Sequence, residues 1–295
     1  MDISFATQQL VFGFTLGCFY GLIAIGYTMV YGVLRLINFA HGDLLMVSAY
    51  FAFFGIIIFE LPWQISFLLA VALTGVLGIL IDRGAYRPLR HSPRISALIT
   101  AIGISFLLEN LALVIVGGRP KSFPLPSLFG GVIKIAGVTI PVLSVWVFFI
   151  TALLLAAVMY IVRRTRVGMA MRALSLDMET VGLMGVDANR VISFTFVLGS
   201  VLAAAGGMMW SMKYPAVEPF MGVLPGLKAF VAAVLGGIGN VAGAALGGFI
   251  LGVAEILIVA VKPEWSGYRD AIAFCILIVI LLTRPRGIMG EELPD

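Results

Sequence analysis

The sequence predicts an all-α fold, a polytopic helical bundle integral to a membrane, on three grounds: its composition, the length of its apolar runs and the placement of its arginines. Of 295 residues, 61% are hydrophobic and 12% charged, and the mean hydropathy is +1.10. Soluble domains run at about 45–50% apolar and about 25% charged. A soluble fold of this size would leave much of its apolar surface in water, so lipid must be the solvent for most of the chain. No polar stretch is long enough to fold by itself, which makes 1–295 a single transmembrane domain.

A bilayer-crossing helix takes about 20 mostly apolar residues. Such runs lie at 10–34, 44–59, 65–81, 95–116, 140–162, 191–212 and 272–283, the second and last being short. The stretch 224–261 is too long for one crossing and is interrupted by Gly236-Gly237-Ile238-Gly239-Asn240. It reads as a short or broken span, a glycine turn and then a full helix. The expectation is therefore eight or nine membrane segments, one of them short, broken or re-entrant.

The arginines orient the bundle. Twelve of the fourteen fall in segments that can share one side: Arg35, the 83–94 loop, the 163–190 loop and Arg284 with Arg286. Only Arg119 and Arg269 lie opposite. The positive-inside rule places the larger group in the cytoplasm, with the N-terminus outside and the C-terminus inside. The formal charge of +4 belongs to these loops and does not signal nucleic acid. Residues 1–9 are acidic rather than basic and precede a long apolar run, unlike a cleaved signal peptide. Cys18 and Cys275 both fall in apolar runs, where a small buried hydrophobe is expected rather than a disulfide.

Glycines recur at four-residue spacing: Gly13, Gly17 and Gly21, then Gly239, Gly243 and Gly247, then Gly248 and Gly252. This lines one helix face with small residues and lets backbones approach closely in lipid. Fixed packing and sliding between two conformations both fit the pattern. Gly237-Ile238-Gly239-Asn240-Val241-Ala242 matches a dinucleotide fingerprint but sits in an apolar run with no βαβ context. No phosphate-binding loop G-x-x-x-x-G-K-[ST] occurs, and with His41 and His91 the only histidines, metal or triad chemistry has little to build on.

Two polar constellations remain. The first, 32–43, packs Arg35, Asn38, His41 and Asp43 between two apolar runs. It is either a hydrated turn whose Asp43 caps the next helix or the lining of a cavity at membrane depth. The second, 165–185, puts Ala170, Leu174, Met178 and Val181 on one helical face. Asp177 can cap a short helix that Gly185 ends, and Asp187 can cap the next span. Such a Met-rich helix suits either a protein partner or the bilayer surface. Glu109 and Glu255 are single carboxylates within spans, expected to hydrogen-bond between helices, while Lys228 and Asp270 lie near span ends.

These residues resemble the branched-chain amino-acid ABC permease family. The stretch 27–43, with its Asn38-Phe39-Ala40-His41-Gly42-Asp43, is similar to the family's N-terminal signature. So are Gly168-Met169-Ala170-Met171-Arg172-Ala173 with Leu183-Met184-Gly185-Val186-Asp187, then 228–239, then Arg284-Pro285-Arg286-Gly287-Ile288. The four occur in order along essentially the whole chain, and the Asn-Phe-Ala-His-Gly form resembles the first of the two paralogous permeases in such systems. The resemblance implies a multi-pass subunit of a binding-protein-dependent importer in a bacterial-type inner membrane, moving branched-chain or other hydrophobic amino acids. It implies a paralogous permease, two cytoplasmic ATPases that use ATP and Mg, and a periplasmic or surface-tethered binding protein as partners. This chain itself would be no enzyme and would hold no cofactor or metal.

The resemblance makes about 163–190 the coupling segment, with Arg172, Ser175, Asp177, Met178 and Glu179 set against an ATPase. Asn38, His41 and Asp43 belong to the signature, and Gly239 and Asn240 to the broken span. These five are the candidate pathway residues; at Gly239 and Asn240, half-helix ends near 236–240 would offer dipoles to the ammonium and carboxylate of an amino acid. Urea or short-chain amide permeases share the motifs. An autonomous secondary transporter or channel is the reading from another class; it predicts transport without ATPases and an internal inverted repeat.

Overall fold

Apolar runs with no water to bond their peptide groups close into helices. The computed structural model describes residues 3–90, 92–135 and 137–290, so His91 lies outside the described residues. Among the described residues there are eleven α-helices: α1 (Ile3–Leu34), α2 (His41–Ile57), α3 (Trp63–Ile81), α4 (Arg94–Val116), α5 (Val142–Arg164), α6 (Arg166–Leu176), α7 (Met178–Leu183), α8 (Ala188–Lys213), α9 (Val223–Gly236), α10 (Val241–Val261) and α11 (Arg269–Thr283). Seven are long and apolar enough to cross a membrane, counting α3 through Leu89 and α11 from Pro263. α2 and α9 are shorter apolar helices. The run at 44–59 is short, as expected, and the first part of 224–261 forms a second short helix. The stretch 224–261 divides as its glycines predict, into α9, a turn in which Gly237 and Gly239 take positive φ, and α10. The last span gains its length from a helical turn, Pro263–Tyr268, that sequence periodicity passed over.

Two small antiparallel pairings close one end of the bundle: β1 (Lys121–Ser122) with β4 (Ala216–Val217), and β2 (Val132–Ile135) with β3 (Val138–Pro141). Gln8 at the start of α1 bonds Thr139 there through both its amide atoms, at 2.6 and 2.7 Å. The opposite end gathers the arginine-bearing segments. Arg35 donates to the Ser175 carbonyl at 3.0 Å. Arg90 pairs with Asp82 at 2.6 Å and also donates to Asn189, and Ser193 donates to the second Asp82 oxygen. Asp82–Tyr86 is a π-helical continuation of α3, a geometry that often marks functional segments. Its Tyr86 hydroxyl donates to Asn38 Oδ1 at 3.0 Å.

α1 runs through the centre, packed on α10 along its length and on α5, α8 and α9 around it. Glycines set the α1–α10 distance. A Cβ at Gly13 would lie 2.9 Å from Val253 Cα and one at Gly17 2.7 Å from Phe249 Cα, both backbone atoms that cannot yield locally. Gly248 and Gly252 face back onto the backbones of Gly21 and Gly17, whereas Gly243 and Gly247 face Gly236 and Ala232 of α9. Cys18 is buried in this core, as expected, but Cys275 is exposed on the outer face of α11.

Gly17→Ala is expected to cost about 1–3 kcal/mol through forced separation of two backbones, measured by thermal unfolding in detergent. Gly21→Ala, whose Cβ would rest 3.6 Å from the Ala245 carbonyl oxygen, should stay within about 0.5 kcal/mol of the parent. Equal losses in the two variants would show that α1 and α10 are not held at glycine distance.

Candidate functional site

The two short helices begin beside each other. A Cβ on Gly42, in the first turn of α2, would meet the Gly222 carbonyl oxygen at 2.7 Å and Gly226 Cα at 3.0 Å, at the start of α9. From there α2 runs to the strand-bearing end, where Gly55 packs on Ser66, and α9 runs to the arginine-rich end, where Gly237 meets Gly290. Each is shorter than a full crossing, and their N-termini abut. Neither start has a side-chain cap: Ala40 and Gly222 make no capping hydrogen bond. Two positive dipole ends therefore converge on one region.

That region is a cavity of about 160 Å³, walled by α1, α2, α4 and the start of α9. Its depth is set by Ser105, which stands at the midpoint of α4 (Arg94–Val116). Ser105 donates to Asp43 Oδ2 at 2.5 Å and lies 3.5 Å from Glu109 Oε1. Both carboxylates are buried. Spacing explains the pair on α4: residues four apart share a helix face, so Ser105 and Glu109 address the same side. Tyr27, Phe39, Ile102, Phe106, Val223 and Leu227 supply most of the remaining wall. The arrangement offers an acidic pole, two helix N-termini and an apolar niche within one small volume. That combination suits a small molecule carrying a cation, an anion and an apolar body.

The five candidate pathway residues part company here. Asp43 lines the cavity. His41 is buried behind it, its ring 4.8 Å from that of Tyr27 and packed against Gly26 and Gly199. Asn38 is buried and holds Tyr86. Gly239 and Asn240 lie at the arginine-rich end, lining a second cavity. Asn240 caps α10 by accepting from Gly243 N and donates to the Met289 carbonyl, both at 3.0 Å. The α9–α10 turn is thus the tip of a hairpin, and the half-helix ends that meet at mid-depth are those of α2 and α9. Ser105, Glu109, Gly222 and Gly226 join Asp43 in this lining without standing among the candidates from sequence. A hydroxyl four residues before an intramembrane carboxylate was the available signal.

The 165–185 segment folds as two helices, α6 and α7, rather than one amphipathic face. Thr165 accepts from Gly168 N and starts α6; Asp177 accepts from Thr180 N and starts α7; Asp187 accepts from Arg190 N and starts α8. Gly185 takes positive φ just after α7, as its position predicts. Met171, Leu174 and Val181 turn inward, with Ala170 and Met178 partly buried against the core. Arg172 donates to the Val162 carbonyl, and Ser175 to the Arg172 carbonyl at 2.6 Å. The side chain of Glu179 lies outside what is described. Leu183 and Met184 are 89% and 79% exposed, beside exposed Met169 and Leu176.

The intramembrane Glu255 bonds between helices as expected. Lys228, expected near a span end, is instead buried inside α9. It bridges Glu255 of α10 at 2.6 Å and Asp270 of α11 at 2.7 Å, and the Tyr20 hydroxyl of α1 donates to Glu255 at 3.0 Å. One cation thereby ties α9, α10 and α11 to the central helix.

The profile of the family described as "Branched-chain amino acid transport system / permease component" matches residues 9–281. The chain is 42% identical to the high-affinity branched-chain amino acid transport system permease protein BraD of Pseudomonas aeruginosa, over 96% of this chain and 95% of the relative. It is 40% identical to the corresponding LivH of Escherichia coli, with the same two coverages. A probable branched-chain amino acid transport permease of Methanocaldococcus jannaschii is 27% identical over 92% of this chain.

Side chains of Lys228 and Glu255 are 9% and 1% exposed, so removing one strands the other. Lys228→Met is expected to destabilise the fold by about 3–5 kcal/mol in detergent unfolding, and the double variant Lys228→Met/Glu255→Gln to recover most of that loss. A double variant no better than the single one would mean that the pair does not hold the helices.

Proposed function

The chain belongs to the branched-chain amino acid permease family, and from that premise we propose that it is the membrane-spanning subunit of an ATP-driven importer for branched-chain or similarly hydrophobic amino acids. The observation that carries the proposal is identity of 40–42% to BraD and LivH along 96% of the chain. Seven long apolar helices make it a multi-pass membrane protein. The arginine-rich end faces the cytoplasm by the positive-inside rule, with the N-terminus outside, in a bacterial-type inner membrane. The partners are a paralogous permease, two ATPases that consume ATP and Mg, and an external binding protein that delivers the substrate.

On this reading α6 and α7 dock the ATPase. Arg172, Asp177 and Ser175 shape the segment from within, and the exposed Leu183 and Met184 enter a groove of the partner. The mid-depth cavity is a transit station. Asp43 and Glu109 take the substrate ammonium, the uncapped start of α9 faces its carboxylate, and Ile102, Phe106 and Leu227 receive the aliphatic side chain.

Asp43→Asn and Glu109→Gln should each lower leucine uptake by the assembled complex about tenfold or more, the worth of one charged hydrogen bond, with ATPase stimulation by loaded binding protein retained. Unchanged uptake in both variants sinks the cavity assignment. Leu183→Glu should abolish that stimulation while the permease pair still assembles; full stimulation would remove α7 from the ATPase contact.

A further inference from the structure

The second cavity, about 250 Å³, opens at the arginine-rich end between α1, α5, α6 and the α9–α10 turn. Arg35, Arg163 and Arg172 line it, and no acidic side chain does among the described residues. Converging cations without a counter-charge repel one another unless an anion lies between them. Arg35 and Arg172 each spend one donor on a backbone carbonyl, of Ser175 and Val162 respectively. A guanidinium has five N–H groups, so most remain free. Arg163 has no hydrogen-bond partner among the described residues and is exposed. Arg35 is held in the left-handed region at φ 53, which a residue without glycine's freedom adopts at a cost. Its side chain reaches across to α6, where it bonds the Ser175 carbonyl.

The position identifies the anion. Arg35 and Arg163 stand where the apolar stretches of α1 and α5 end, the depth of lipid headgroups. Beside them Met159, Val162, Ile238 and Val241 form an apolar part of the wall, suited to the first methylenes of an acyl chain. Basic pockets between membrane helices take anionic headgroups in this way, and arginine matches phosphate oxygens two at a time. We propose that this cavity binds the phosphate of an anionic phospholipid headgroup. The site is independent of the mid-depth cavity and of what passes through it.

The test is native mass spectrometry on the full chain, purified in detergent with the subunits that accompany it and titrated with phosphatidylglycerol, phosphatidylcholine and inorganic phosphate. Phosphatidylglycerol should be retained in preference to phosphatidylcholine. Arg163→Gln should weaken that retention about tenfold, Arg163→Lys less, and Arg164→Gln, an equal loss of charge outside the lining, not at all. Equal weakening by Arg163→Gln and Arg164→Gln would reduce the effect to general surface charge and overturn the site. Inorganic phosphate displacing the lipid at millimolar concentration and binding without it would make this a free-anion site. Exclusion of lipid by a docked ATPase would assign the arginines to that partner. Either result overturns the lipid assignment.

Discussion

Everything in this bundle follows from one constraint: peptide groups at membrane depth have no water to bond, so a chain that breaks there must be walled in by protein. The chain breaks at mid-depth twice, before α2 and before α9, and both breaks occur at the same place. Each half-helix shields the start of the other, and α1 and α4 cover the rest. The Gly42–Gly222–Gly226 contact is what makes the pairing possible, since any Cβ there would drive the two ends apart. The cavity, the convergent dipoles and the buried Asp43 are consequences of where those two helices begin.

Charge is distributed in the same economical manner. Buried carboxylates stand against a cation, Glu255 with Lys228 and Asp82 with Arg90, or at the positive ends of α2 and α9, as Asp43 and Glu109 do. The arginine-rich end is knitted by arginines that bond backward into the fold, Arg35 to α6, Arg172 to α5 and Arg90 to the start of α8. What remains outward-facing on α6 and α7 is largely apolar. This end therefore presents an apolar surface on α6 and α7 in a basic surround.

Much of this was legible beforehand. Helix locations followed from run length, because in lipid the apolar run and the helix are the same object, and α4 agrees with its predicted span to within a residue. Asp177, Gly185 and Asp187 punctuate the chain as their capping chemistry dictates. Depth was not legible. Nothing local distinguishes a helix that begins at the surface from one that begins inside the bundle, so α2 reads as a short span, and Gly42 and Gly222 carry no local mark of the contact they make. Lys228 was placed near an edge for a similar reason. Its partners lie on α10 and α11, and only tertiary structure says that α9 is too short to carry it to the surface.

The Lys228 triad also orders the birth of the molecule. Lys228 leaves the ribosome before Glu255, and Glu255 before Asp270. When α9 is first made it is a fourteen-residue apolar segment with an unmatched cation, shorter than a bilayer crossing. Its neutralising carboxylates arrive only with the next two helices, the second of them the last among the described residues. α9, α10 and α11 thus complete their charge pairing only together, and a chain arrested before α11 would leave Lys228 without Asp270, an incompletely held helix open to quality-control proteases in spite of a complete α1–α8 scaffold.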